Sequence, residues 1–315
     1  MMSKLNIMYM GTPDFAEVIL RKLAETYDVS AVVTQTDKPV GRKRVLTAPP
    51  VKVTATELGI PVYQFETLKN GELKEALDNH KPDVIVVAAY GKLLPDYVLS
   101  YPKYGCVNVH GSLLPKYRGA GPVQWSVING DGVTGVTTML MGAEMDKGDM
   151  LLKAEVKIGE YETYGELMER LAPIGAELTV KTLEALVAGD ITPEKQNDDE
   201  ATYAPMLNKE IAVIDFNKSA DDVLHLIHGL NPWPVAFAYR DGKKLKIFNA
   251  IKGNNTQKSP GTAWMTHKKD GLEIACGDGK TVIATVVQGE GAKKMEAKLY
   301  LMGNPVNETT ILTEE

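Results

Sequence analysis

Asn108 and His110 stand two residues apart, just before Gly111 and the run Ser112-Leu113-Leu114-Pro115. Strand side chains alternate between faces, so an amide and an imidazole at this spacing point the same way. Gly111 would end the strand and leave both at its carboxyl edge, where open α/β sheets place their chemistry. An amide donor beside an imidazole suits one task, stabilising a tetrahedral oxyanion while a proton leaves an attacking amine. The carboxylate to complete the set is Asp146, in the glycine-bracketed stretch 141–149, which can fold back towards the sheet edge. A carboxylate near an imidazole fixes its tautomer and stabilises its charged form. Glu144 and Asp149 are rivals in the same stretch. Each residue taken singly also reads as an ordinary strand end or solvated loop; the combination points to acyl chemistry.

The elements that must position these groups follow from the hydrophobic pattern. Short apolar runs alternate with amphipathic segments through the first two-thirds of the chain, the mark of a mostly parallel α/β sheet. Strands are expected at 5–10, 29–34, 60–63, 83–88, 105–110 and 133–141, with 149–156 as hairpin partner of the last. Helices are expected after 11–14, with Thr12 as N-cap and Pro13 at its first position, and at 51–58, 71–80, 122–129 and 163–188. Residues 37–50 read as a long polar, basic loop, and such loops are usually functional. A polar, acidic stretch follows at 189–207. Beyond it lie a helix at 219–230 capped by Ser219 and short strands at 236–240, 244–250, 261–265, 272–276, 281–287 and 297–301. That pattern suggests a small barrel of the OB type. The fold expected is therefore a Rossmann-like domain over 1–189, a linker over 190–207 and an OB-like domain over 208–315.

Two loops and one face could bind substrates. Residues 112–122 combine apolar bulk with free backbone groups, which suits a flat heterocycle with amide-like edges such as a pterin; Arg118 lies within it. Lys38, Arg42, Lys43 and Arg44 fall within seven positions. On the edge of the second strand they fit a grip on a bulky anion such as an RNA end. Lys243, Lys244, Lys246, Lys293, Lys294 and Lys298 cluster on the second domain, and small barrels often present such a face to nucleic acid.

Bulk properties narrow the classes. The 315 residues carry a net charge of −6, so no overall basic field draws the chain to nucleic acid, and only local patches can do so. Apolar content of 44% and charged content of 24% are those of a globular protein. Cys106 and Cys276 share no close-spaced motif, which argues against a disulfide framework or zinc site and for a reducing compartment. Cys106 reads as a buried thiol. His225 and His228 lack a third ligand at suitable spacing, so no metal is expected. The first apolar run is too short for a signal peptide, and no stretch approaches the ~20 apolar residues of a bilayer span. A cytoplasmic location is expected, with no membrane partner.

The spelling Asn108-x-His110-x-Ser112-Leu113-Leu114-Pro115-x-x-Arg118-Gly119, followed by Asp146, resembles the formyltetrahydrofolate-dependent formyl transferases. The resemblance runs from Met10-Gly11-Thr12-Pro13 nearly to the end of the chain. The Asn/His/Asp set is shared across that family, by members that act on glycinamide ribonucleotide or amino sugars, and so it implies the chemistry rather than the acceptor. It implies 10-formyltetrahydrofolate as co-substrate, Asn108, His110 and Asp146 as catalytic residues, and Ser112, Leu113, Leu114, Pro115 and Arg118 as the folate site. Two further likenesses imply initiator methionyl-tRNA as the acceptor. One is the basic loop Lys38-Pro39-Val40-Gly41-Arg42, although Val40 and Lys43-Arg44-Val45 depart from the family's commonest spelling; the other is the barrel with Gln288-Gly289-Glu290-Gly291, Lys293 and Lys294. Formylation of an amino-sugar nucleotide and non-catalytic RNA binding are the alternatives.

Overall fold

The computed structural model describes residues 5–41, 43–268, 270–307 and 310–314. The chain folds into two compact units, each assembled from three pieces. The first comprises residues 1–122, 135–156 and 168–204, and the second residues 123–134, 157–167 and 205–315.

In the first unit, β1 (Asn6–Gly11), α1 (Asp14–Thr26) and β2 (Asp28–Thr34) lead to a hairpin of β3 (Lys38–Val40) and β4 (Val45–Thr47). Then come α2 (Pro50–Glu57), β5 (Val62–Gln64), α3 (Lys74–His80), β6 (Val84–Ala88), α4 (Asp96–Leu99) and β7 (Cys106–His110). The path continues through β8 (Arg118–Gly119), β9 (Val133–Leu140), β10 (Met150–Lys157), the long α6 (Tyr164–Ala188) and β11 (Tyr203–Ala204), while α5 (Pro122–Ile128), between β8 and β9, and the first turn of α6 belong to the second unit. Seven strands form one sheet in the order β10-β9-β7-β6-β1-β2-β5. The five from β7 to β5 are parallel, and β9 runs antiparallel to β7. This is the expected Rossmann-like sheet. Every residue of β6 is buried, as a central strand covered on both faces requires.

Strand β7 is the one that matters for chemistry. Its Val109 faces α6: a Cβ on Gly175 of that helix would touch Val109, Val136 and Phe15 at 3.4–3.6 Å. Cys106 faces the other way, into a cluster with Met8, Val33, Val87 and Tyr90. By period 2, Asn108 and His110 share the Cys106 face.

Two local expectations are corrected. Thr12 does not cap α1; Pro13 is the N-cap, and the Thr12 hydroxyl donates to the Tyr90 carbonyl at 3.1 Å. The stretch 37–50 is not a structureless loop, because Lys38, Pro39 and Val40 pair antiparallel with Thr47, Leu46 and Val45.

In the second unit, α7 (Ala220–Gly229) precedes β12 (Phe237–Arg240), β13 (Lys243–Asn255), β14 (Ala263–Met265), β15 (Leu272–Ala275) and β16 (Lys280–Gly289). β17 (Met295–Glu296), α8 (Ala297–Gly303) and β18 (Leu312–Thr313) complete it. The strands run β14-β15-β16-β13-β12-β18, with β17 alongside β16. A bridge between Thr262 and Ile311 brings the two ends of that order together, so the sheet curls into the expected small barrel. Ser219 caps α7 by accepting from the Asp222 amide at 3.1 Å. Val223, Leu224 and Ile227 of that helix join Ile247, Ile274 and Val282 in the barrel core. Residues 297–301, expected as a strand, begin helix α8 instead. Ala297, Tyr300 and Leu301 are its buried positions, a spacing of three and four that a helix satisfies and a strand does not. Among the described residues no helix is long and apolar enough to cross a membrane.

His228 serves this unit's packing. Its Nε2 lies 2.9 Å from the Ala250 carbonyl, and its ring meets Tyr161 edge-on. Burial holds the imidazole pKa below its ordinary value. The unfolded chain therefore binds the proton first as pH falls, and stability is lost below about pH 6.5. Denaturant unfolding at pH 7.5 and 5.5 should show this loss in the parent and a smaller one in His228→Gln.

Candidate active site

The loop between β9 and β10 leaves the sheet low on β7, where the Met141 amide donates to the Cys106 carbonyl at 2.8 Å. It then turns back along the polar face of that strand. At its turn Asp146 adopts φ +53°, in the left-handed region. Its carboxylate meets both predicted partners. Asp146 Oδ1 lies 3.5 Å from Asn108 Nδ2 and 3.8 Å from His110 Nδ1. Asp146 Oδ2 accepts from the Gly119 amide at 2.8 Å. The amide, imidazole and carboxylate thus converge on one point. Glu144 instead pairs with Lys147, across a surface.

The histidine is only 6% exposed, and its two nitrogens have different neighbours. His110 Nε2 lies 2.9 Å from the Tyr117 carbonyl. A carbonyl can only accept, so Nε2 carries the hydrogen in the neutral ring and Nδ1 is the basic nitrogen. The expectation that Asp146 fixes the tautomer is corrected: the Tyr117 carbonyl does so. Asp146 then faces Nδ1, where an arriving proton would place positive charge.

Several residues expected at the folate site also make contacts within the protein. The Ser112 hydroxyl donates to the Lys116 carbonyl at 2.7 Å, closing its own turn. Leu114 is buried against Met139 and Met150. Its amide donates to Thr137 Oγ1 at 3.1 Å, and that hydroxyl donates to the Ser112 carbonyl at 2.6 Å. Arg118 is 1% exposed, with Nε on Gln196 Oε1 at 2.9 Å and Nη1 on Asp198 Oδ1 at 2.7 Å. These contacts stiffen the loop, and the buried Nη2 of Arg118 has no hydrogen-bond partner within the protein. Leu113 and Pro115 remain half-buried. Two large apolar side chains are exposed in neighbouring loops: Leu93, 67% exposed, on the loop after β6, and Met145, 57% exposed, next to Asp146 in sequence.

Gln196 was also missed. It lies in the polar stretch expected as a linker, yet its Nε2 donates to the carbonyls of Asp146 and Gly148 at 2.7 and 2.8 Å. The same stretch supplies β11, which pairs with β8. The Thr202 hydroxyl accepts from the Tyr117 amide at 2.9 Å. A polar, aperiodic stretch gives no pattern by which these contacts could have been found.

Cys106 lies two residues before Asn108 on the same face. Its thiol is buried, and burial pushes its pKa up to about 12. It stays protonated and is no nucleophile.

The cationic residues sit where a large anion can reach them. Lys38, Lys43 and Arg44 are exposed on the β3–β4 hairpin, and Lys293 and Lys294 are exposed in the turn after β16. Lys38 Nζ donates to Gln35 Oε1 at 2.6 Å, and Lys294 Nζ lies 4.5 Å from the centre of the Phe248 ring. Arg42 lies outside the described residues.

The chain is similar to known proteins along nearly its whole length. A family model described as formyl transferase matches residues 3–183, and one described as formyl transferase, C-terminal domain, matches residues 206–305. A methionyl-tRNA formyltransferase of Lachnospira eligens is 48% identical over 317 residues, spanning 98% of this chain and 100% of that one. One from Acetivibrio thermocellus is 47% identical, spanning 98% and 99%. Among solved structures, an N-formyltransferase from Helicobacter canadensis in complex with folinic acid and dTDP-3-aminofucose shares the fold. It aligns with a TM-score of 0.68 at 19% identity, over 91% of this chain and 100% of that one.

Proposed function

The chain belongs to the formyl transferase family, and from that premise we infer that it formylates the free amino group of methionyl-initiator tRNA, with 10-formyltetrahydrofolate as donor. The product serves translation initiation, and the protein works in the cytoplasm. Support for the acceptor comes from near full-length relatives that bear that name. Support for the chemistry comes from one observation, the convergence of Asn108, His110 and Asp146 on a single point.

The donor supplies a formyl carbon already activated by its bond to nitrogen. The chain's own residues do the rest. Asn108 donates its amide to the formyl oxygen as negative charge develops there. His110 Nδ1 takes the proton that the methionine amine sheds as the new C–N bond forms, and returns it to the departing folate nitrogen. Asp146, beside Nδ1, stabilises the imidazolium in the interval. The loop that carries Ser112, Leu113, Leu114, Pro115 and Arg118 holds the folate.

The tRNA is held by charge. Lys38, Arg42, Lys43 and Arg44 grip its acceptor end, and Lys293 and Lys294 grip its body. Such contacts release counterions, and the salt dependence of binding counts them. Removing two, in Lys43→Ala/Arg44→Ala, should flatten the slope of log affinity against log salt by about 2. Binding titrations between 50 and 200 mM salt measure it, and an unchanged slope refutes the hairpin's role.

The deciding experiment supplies labelled formyl donor with either aminoacylated initiator tRNA or an amino-sugar nucleotide. Label should appear on the methionine nitrogen of the tRNA alone. Label on the sugar, or on neither, overturns the reading.

A further inference from the structure

We propose that Gln196 is a positioning residue for the proton transfer, and that Arg118 sets the orientation of its amide. The inference rests on the reaction just described.

Asp146 is held in a backbone conformation that side chains other than glycine rarely adopt. Contacts at its carbonyl hold it there. Gln196 Nε2 bridges the Asp146 and Gly148 carbonyls, on either side of Lys147, and so clasps the turn that carries the carboxylate. From beneath, the turn rests on the end of β9: a Cβ on Gly148 would lie 1.7 Å from the Leu140 carbonyl oxygen. The turn is thus fixed by one side chain and one close backbone approach.

A glutamine amide can present either end. Arg118 removes that freedom. Its Nε–H can only donate, so it requires Gln196 Oε1, at 2.9 Å, and this aims Nε2 at the two carbonyls. Arg118 is itself fixed, by Asp198 at Nη1 and by its main-chain amide on the Thr202 carbonyl at 2.8 Å. The residue after it, Gly119, donates to Asp146 Oδ2. One short segment therefore holds the Asp146 carboxylate through its own amide and its backbone through Gln196.

The test uses Gln196→Glu, which keeps the shape and the Arg118 contact but turns an acceptor oxygen against two carbonyl oxygens. Gln196→Met removes the donors without repulsion and guards against misfolding of the first variant. Both should lower kcat about ten- to a hundredfold, with the KM for tRNA within about twofold of the parent. Combined with Asp146→Asn, either should add little to the loss from Asp146→Asn alone, because the two act through one group. Independently of activity, hydrogen exchange at the Gly119 amide should quicken about tenfold in both variants, as Asp146 Oδ2 withdraws. Unchanged kcat, full additivity with Asp146→Asn, or unchanged Gly119 exchange each overturns the proposal. If the parent transfers no formyl group, the reaction is misassigned, and the exchange measurement alone decides whether Gln196 positions Asp146.

Discussion

His110→Ala is expected to lower kcat by about 10²–10⁴-fold while leaving the affinities for tRNA and donor within a few-fold of the parent. The size follows from the ring's setting. It is almost fully enclosed, its Nε2 is tied to the Tyr117 carbonyl, and only Nδ1 remains to exchange a proton. The rival carboxylate Glu144 is paired with Lys147. Single-turnover transfer with pre-bound tRNA isolates the chemical step. A loss below about fivefold would remove the histidine from the mechanism.

Asn108→Ala should cost about 10²–10³-fold in kcat, the usual effect of deleting one oxyanion donor. One amide hydrogen of Asn108 is directed at Asp146 Oδ1, at 3.5 Å, which leaves the other for the formyl oxygen. Asn108→Asp is the sharper variant. It keeps the shape, removes both hydrogens and sets a second carboxylate against Asp146, so it should be worse than alanine. If aspartate proves as active as asparagine in the same assay, the donor role is wrong.

How much of this was legible in the sequence depends on whether side chains or main chain carry the information. The two-residue spacing of Asn108 and His110 was readable because strand geometry has a fixed period, and the sheet followed from apolar runs such as Val84–Ala88. Asp146 was readable as a carboxylate in a glycine-bracketed turn. The tautomer of His110 was not, because the group that sets it is a backbone carbonyl, and every residue has one. The partners of Arg118 were hidden for a related reason: Gln196 and Asp198 lie about eighty residues along the chain, in a polar stretch with no period to read. Helix α8 was missed because 297–301 is short and apolar, and over such a length the two periods cannot be told apart.

The interleaved path of the chain bears on any attempt to dissect it. Trp125 and Ile128, far upstream of the barrel in sequence, pack against the barrel's core, and Trp125 Nε1 donates to the Pro205 carbonyl at 2.8 Å. A fragment ending at Ala204 would keep Asn108, His110 and Asp146 but strip the cover from that indole and its neighbour. Apolar surface bared in this way drives self-association. Excising the C-terminal third would therefore yield a sticky, poorly behaved fragment, and its failure to formylate would say nothing about where the RNA docks.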